Sequence, residues 1–121
     1  MAGIEGGGGK RPAPIVTATT SSGERYDDPS EDLLFELLLD IERGVETFCI
    51  VGRVRDPSGQ TYAQVIRNED ESWLVERREG SADRHFAAEF RDLRDAHRAL
   101  TTWTHELDLD PSADRWQRVV F

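Results

Sequence analysis

Leu33-Leu34-Phe35-Glu36-Leu37-Leu38-Leu39-Asp40-Ile41 is the stretch on which the reading of this chain turns: seven of its nine residues are large and apolar. At about 100° per residue, Leu33, Leu34, Leu37, Leu38 and Ile41 share one broad stripe, the pattern of an amphipathic helix. Phe35 and Leu39 fall on the other side, among Asp32, Glu36 and Glu42. A helix lying on a single sheet needs one stripe, so the second patch predicts burial on two sides, within the domain or against another chain. Phe35 and Leu39, with the neighbouring acids Asp32, Glu36 and Asp40, are the candidate partner-binding residues, and a homodimer is one form of that contact. Two apolar residues are too few for a whole interface, so neighbours such as Val45 would have to contribute. Replacing both Phe35 and Leu39 by Asp separates the readings: an interface loses self-association and keeps the fold, whereas an internal patch unfolds.

Working outward, Asp28 is the expected cap, Pro29 suits the first helical position, and Glu31 and Asp32 sit at the positive end of the helix dipole. Gly44 supplies a stop, which sets the helix at about residues 29–43. Residues 47–54 are rich in β-formers, with Phe48, Ile50 and Val54 on one side and Cys49, Val51 and Arg53 on the other. Asp56-Pro57-Ser58-Gly59 reads as a turn. Residues 60–67 form a second strand and residues 72–78, carrying Trp73 and Val75, a third. Residues 84–90 can add a fourth, with Phe86, Ala88 and Phe90 on one face. From Asp92, the residues Leu93, Ala96, His97, Leu100, Trp103, Thr104 and Leu107 follow the helical repeat to about residue 107. An acidic loop at 108–114 leads to a short last strand at 115–121.

The order is α-β-β-β-(β)-α-β. Short hairpins make the strands antiparallel neighbours, and two helices on one face of the sheet would bury both apolar stripes. The expected fold class is α+β, a two-layer sandwich. Residues 1–27 read as a disordered tail of Gly, Pro, Ser and Thr, in which Ile15 and Val16 can dock as a short edge strand. Residues 28–121 form the single compact domain.

Hydrophobic residues make up 37% and charged residues 32% of 121 residues, and the net charge is −9. Such a surface repels phosphate backbones and anionic membranes. It suits a basic protein partner, or simply keeps a small domain in solution. Lys10 is the only lysine among 15 basic residues, and this arginine bias resembles coding in a GC-rich, actinobacterial-like genome. A single cysteine excludes an internal disulfide framework. Neither a secretory leader nor a span of ~20 apolar residues is visible, so the expected location is the cytoplasm.

No catalytic signature stands out, and the chain is expected not to be an enzyme. His97 and His105 lie about 12 Å apart along a helix axis and cannot share a metal ion. No paired-ligand motif occurs, so neither metal nor cofactor is expected. Cys49 sits mid-strand among apolar neighbours, the setting of an inert thiol. Gly6 to Gly9 has no preceding strand and no following Gly-Lys-Ser/Thr, so it is not a phosphate loop. An enzyme reading would return only if His85 or Cys49 lay in an enclosed pocket with a carboxylate. Trp73 and Trp103 are core anchors, and a solvent-facing Trp116 would mark a recognition surface.

Across about residues 29–107, the order α-β-β-β-α resembles double-stranded-RNA-binding domains. That family holds phosphates with lysines at the start of its second helix. Here the matching stretch is Arg91-Asp92-Leu93-Arg94-Asp95, with no lysine and two acids, and the Asp56–Gly59 hairpin lacks the family's histidine-containing loop. RNA binding is therefore not carried over. Arg53, Arg55, Arg77 and Arg84 are the candidates for an anionic-ligand or nucleic-acid face on the sheet; the plainer reading pairs the sheet arginines across strands with Glu76 and Glu79.

Two functions follow. In the first, the chain is a small acidic, non-enzymatic protein-binding or regulatory module, inhibitor- or immunity-like, docking on a basic protein or on itself through the acids of 27–46, 69–71 and 108–114. In the second, the arginine-bearing sheet face takes an anionic ligand.

Overall fold

The computed structural model describes residues 12–121. It contains β1 (Val16–Thr20), β2 (Arg25–Asp27), α1 (Glu31–Glu42), β3 (Phe48–Arg53), β4 (Thr61–Arg67), β5 (Trp73–Glu79), β6 (His85–Phe90), α2 (Leu93–Thr104) and β7 (Gln117–Arg118), with 3-10 turns at Ala82–Arg84 and Ala113–Arg115. The seven strands form one sheet in the order β2-β1-β3-β4-β5-β6-β7, antiparallel at every step. The protein is thus a mixed α+β domain with an antiparallel sheet and two helices.

Strand period and sheet register decide what is buried. Ala18, Val51 and Ala63 lie opposite one another across three strands, as do Cys49, Val65, Val75 and Ala88 across four. Cross-strand partners share a face, and these residues are all buried on the same one. They form a single cluster with Leu34, Leu37, Leu38 and Ile41 of α1 and Leu93, Ala96, Ala99 and Leu100 of α2. A 12-residue helix is marginal on its own in water. Each fully buried Leu or Ile contributes roughly 1.5–3 kcal/mol, so α1 is held by its stripe rather than by its propensity. On the other face, Phe48, Ile66 and Leu74 form one cross-strand row, and Gly52, Tyr62, Arg78 and His85 another.

Two expectations are corrected here. The tail was expected to reach residue 27, but residues 16–27 form β1 and β2; the part of it over residues 1–11 lies outside the described residues. β1 pairs along the whole edge of β3, from Val16 opposite Arg53 to Thr20 opposite Cys49. It is an interior strand, with β2 outside it. Val16, Ala18 and Thr20 are buried, but small residues give almost no hydrophobic signal in the sequence, and the strand is held mainly by backbone pairing. The hairpin turns at Gly23, at φ +91°, and the buried Glu46 carboxylate clamps it. That carboxylate accepts from Ser21 Oγ at 2.6 Å, Ser22 N at 2.9 Å and Ser22 Oγ at 2.7 Å.

The second correction is the cap of α1. Ser30, not Asp28, accepts from Leu33 N at 3.1 Å. Asp28 instead accepts from Ile15 N at 2.8 Å and Val16 N at 3.1 Å, tying the start of β1 to the entry of α1. Asp92 caps α2 as its sequence implies, accepting from Asp95 N at 2.9 Å. Four strands, not three, separate the helices and two more precede α1, so the α-β-β-β-α resemblance does not describe this sheet. Among the described residues, no helix is long and apolar enough to cross a membrane.

Candidate functional site

Residues 24–46 carry nine carboxylates against two arginines, whereas residues 77–118 are almost balanced, with nine against eight. The first group lies on β2, an edge strand, on α1, which follows it directly, and on the loop after α1. Glu24, Asp27, Asp28, Glu31, Asp32, Glu36 and Glu42 are exposed there. Glu31 and Asp32 occupy the first turn of α1, where the helix dipole favours carboxylates and lets them remain close together. Most of the excess negative charge of the chain therefore lies in this one segment.

Of the five α1 candidates, Asp32 and Glu36 are exposed, while Phe35, Leu39 and Asp40 are half-buried. Phe35 and Leu39 both pack against the chain's own core. The Phe35 ring meets His97 of α2 edge-on, with centroids 5.2 Å apart. His97 Nε2 lies 2.9 Å from the Glu31 carbonyl oxygen; a carbonyl only accepts, so this nitrogen carries the proton. A groove of about 390 Å³ runs between the helices, with Glu31, Asp32 and Phe35 on one wall and Arg94, His97 and Arg98 on the other. Leu39, Glu36 and Asp40 lie outside its lining. The α2 wall was missed in the sequence, although Arg94 and Arg98 stand four apart on the polar side of a clearly patterned helix.

The arginines divide. Arg53, Arg55 and Arg77 line a cavity of about 280 Å³ beside the end of α2, while Arg84 sits exposed in the 3-10 turn before β6 and does not join them. Arg53 and Arg77 share the sheet face of the buried core, opposite Val16 and Ala63. Arg53 is 5% exposed. It donates from Nη1 to the Thr104 carbonyl at 2.9 Å and from Nη2 to the Trp103 carbonyl. The last turn of α2 holds no basic residue of its own, so Arg53 supplies both the donors and the positive charge that a helix end lacks. Burial pulls its pKa below the ordinary arginine value. Arg77 Nη1 pairs with Glu79 Oε2 at 2.8 Å, and its guanidinium lies 4.5 Å from the Phe86 ring and 4.8 Å from the Trp116 ring. Arg77 thus pairs with Glu79 within β5 and not across strands as expected, and Glu76 pairs with His85.

Glu76 Oε2 lies 3.0 Å from His85 Nε2, and Arg78 Nε donates to His85 Nδ1 at 3.1 Å. Both ring nitrogens of this buried histidine are engaged, as acceptor at Nδ1 and donor at Nε2. Cys49 is fully buried on the core face of the sheet, and burial pushes its thiol up to about 12. The register puts His85 on the opposite face, so the two cannot form a nucleophile–base pair. Among the described residues, no three His, Cys, Asp or Glu side chains converge as metal ligands. Compared with protein-family models, curated proteins and solved structures, the chain matches none.

Proposed function

We propose that this protein is a small, non-enzymatic protein-binding module of the inhibitor or immunity type. It docks the acidic β2–α1 side on a basic protein partner, in the cytoplasm. The observation that carries this reading is the concentration of negative charge: nine carboxylates and two arginines in residues 24–46, most of them exposed on an edge strand and the helix that follows it. An acidic patch on a rigid scaffold speeds encounter with a basic surface and rejects acidic ones. The half-buried Phe35 at the groove adds an apolar contact beside Asp32, and the basic α2 wall across the groove limits how far a cationic partner can extend. A two-layer build would leave the opposite sheet face free of this contact.

The test is capture from the native host on immobilised protein at low and high salt, with two charge-reversed variants. A basic protein retained by the wild type and by Arg94→Glu/Arg98→Glu, released by raised salt, and lost with Asp32→Lys/Glu36→Lys supports the reading. Capture that ignores the α1 reversal, or no capture at all, overturns it.

A further inference from the structure

We infer that a second copy of this chain docks on the sheet face opposite the core, in a reversible two-fold dimer centred on Gln64, a contact separate from the acidic β2–α1 side. The register sets Phe48, Ile66 and Leu74 in one cross-strand row and Ile50 and Gln64 in the next, with Tyr62 beyond them. The five apolar side chains are half-buried, yet none belongs to the core cluster or packs against it. Charge on this face is settled internally. Glu76 pairs with His85 at 3.0 Å. Arg78 donates to Gln60 Oε1 at 2.7 Å and to His85 Nδ1 at 3.1 Å, with the Phe121 ring 5.4 Å from its guanidinium. Arg25 and Asp27 pair with each other at the β2 rim. Of the charged residues in these rows, Glu89 at the β6 rim is left.

A chain of net charge −9 repels its own copy unless the contact is nearly neutral, and this face is. The α1 acids stay clear of it, because α1 packs its stripe on the core. That balance favours a second copy over a basic protein, which the acids draw elsewhere, and over a nucleic acid. Gln64 sets the symmetry. It is the fourth of the seven residues of β4, itself the fourth of seven strands, so it marks the centre of the face. Among the described residues its amide makes no hydrogen bond. An amide both donates and accepts, so it can satisfy its own copy. A two-fold axis running between the sheets and over Gln64 sets each amide against the other. Packed sheets lie about 10 Å apart, a gap that two such side chains span. Five strands about 4.8 Å apart and about 20 Å long give roughly 500 Å² in plan on each copy. The pair therefore buries on the order of 1,000 Å², the lower limit of a specific interface, and the dimer is weak and concentration-dependent.

The experiment measures mass by sedimentation equilibrium on the full chain, from ~1 to ~500 μM. A monomer–dimer equilibrium with a dissociation constant of roughly 10–100 μM is expected. Gln64→Glu and Gln64→Lys each place like charges across the axis and weaken it at least ~10-fold. Mixing the two variants in equal amounts restores a dimer, a result that damage to the fold cannot give. Asp32→Lys/Glu36→Lys keeps the wild-type dimer, so loss of docking on a basic partner and loss of this contact are read apart. A wild type that stays monomeric throughout, a dimer indifferent to Gln64→Glu, a mixture that does not reassemble, or a dimer lost with Asp32→Lys/Glu36→Lys overturns the contact.

Discussion

The Arg53 guanidinium stacks 3.9 Å from the Trp103 ring centroid and donates to the carbonyls of Trp103 and Thr104. One side chain from the end of β3 thereby closes the C-terminus of a helix 50 residues further on. It fastens α2 to the sheet at the point where the helix runs out of internal partners.

Removing that clasp leaves the Thr104 carbonyl without a donor in a buried place and takes one of two donors from the Trp103 carbonyl, which keeps the Glu106 N–H at 3.3 Å. Arg53→Met is expected to lower stability by about 2–4 kcal/mol, with Arg53→Lys intermediate, because an ammonium can reach a carbonyl but cannot bond two while stacking. Urea denaturation measures it. A loss below about 0.5 kcal/mol would show that the carbonyls find other partners.

Glu46 predicts an acid-sensitive component of stability. Hydrogen bonds from Ser21 and then Ser22 hold its carboxyl below the ordinary value of 4.5. A group whose folded pKa is depressed stabilises fully above its unfolded pKa and loses that contribution as pH falls through the folded one. Glu46→Gln should therefore be less stable than the wild type at pH 7, and the gap should close as pH drops below about 4.5. A gap that stays constant from pH 7 to pH 3 contradicts the assignment.

The thiol of Cys49, pushed up to about 12 by burial, is almost entirely protonated at neutral pH and shielded from reagents. Ellman's reagent should label it at the rate of unfolding in native buffer and at once in guanidinium. Fast native labelling would mean that β3 opens independently of the core.

Phe35 packs on His97 and both Phe35 and Leu39 lie against the core, so Phe35→Asp with Leu39→Asp is expected to destabilise by several kcal/mol, on the order of 2–4. Thermal melts and light scattering over a concentration series read stability and mass together. A folded double variant that has lost a wild-type dimer would make the patch an interface instead.

Much of this fold is legible in the amino acids. The 3.6-residue repeat sets α2 within three residues of its expected end, and period-2 alternation locates β3 to β6 within about two residues, because each element buries one face on one core. β1 and β2 were not legible. Val16, Ala18 and Thr20 present little apolar surface, and their burial follows from the free edge of β3, which no local window contains. The cap of α1 illustrates the same limit: Asp28 followed by Pro29 reads as the cap, but the nearby backbone of β1 takes the Asp28 carboxylate and Ser30 caps the helix. In the candidate sites, the acids of 27–46 are visible as a run, while Arg53 and Arg77 look like exposed sheet residues. Only their contacts with Trp103, Phe86 and Trp116 show that they lie beneath a helix end.

The sequence by itself determined the helical stripes, the hairpins, the α+β class and the sign and clustering of the charge, since each is a property of neighbours along the chain. The tertiary structure alone decided that β1 lies inside the sheet, that Arg53 ends α2, that His85 and Cys49 face apart, and that a groove and a cavity flank α2. Those outcomes depend on groups dozens of residues apart satisfying one another's hydrogen bonds and apolar surface, and only the folded chain brings those groups together.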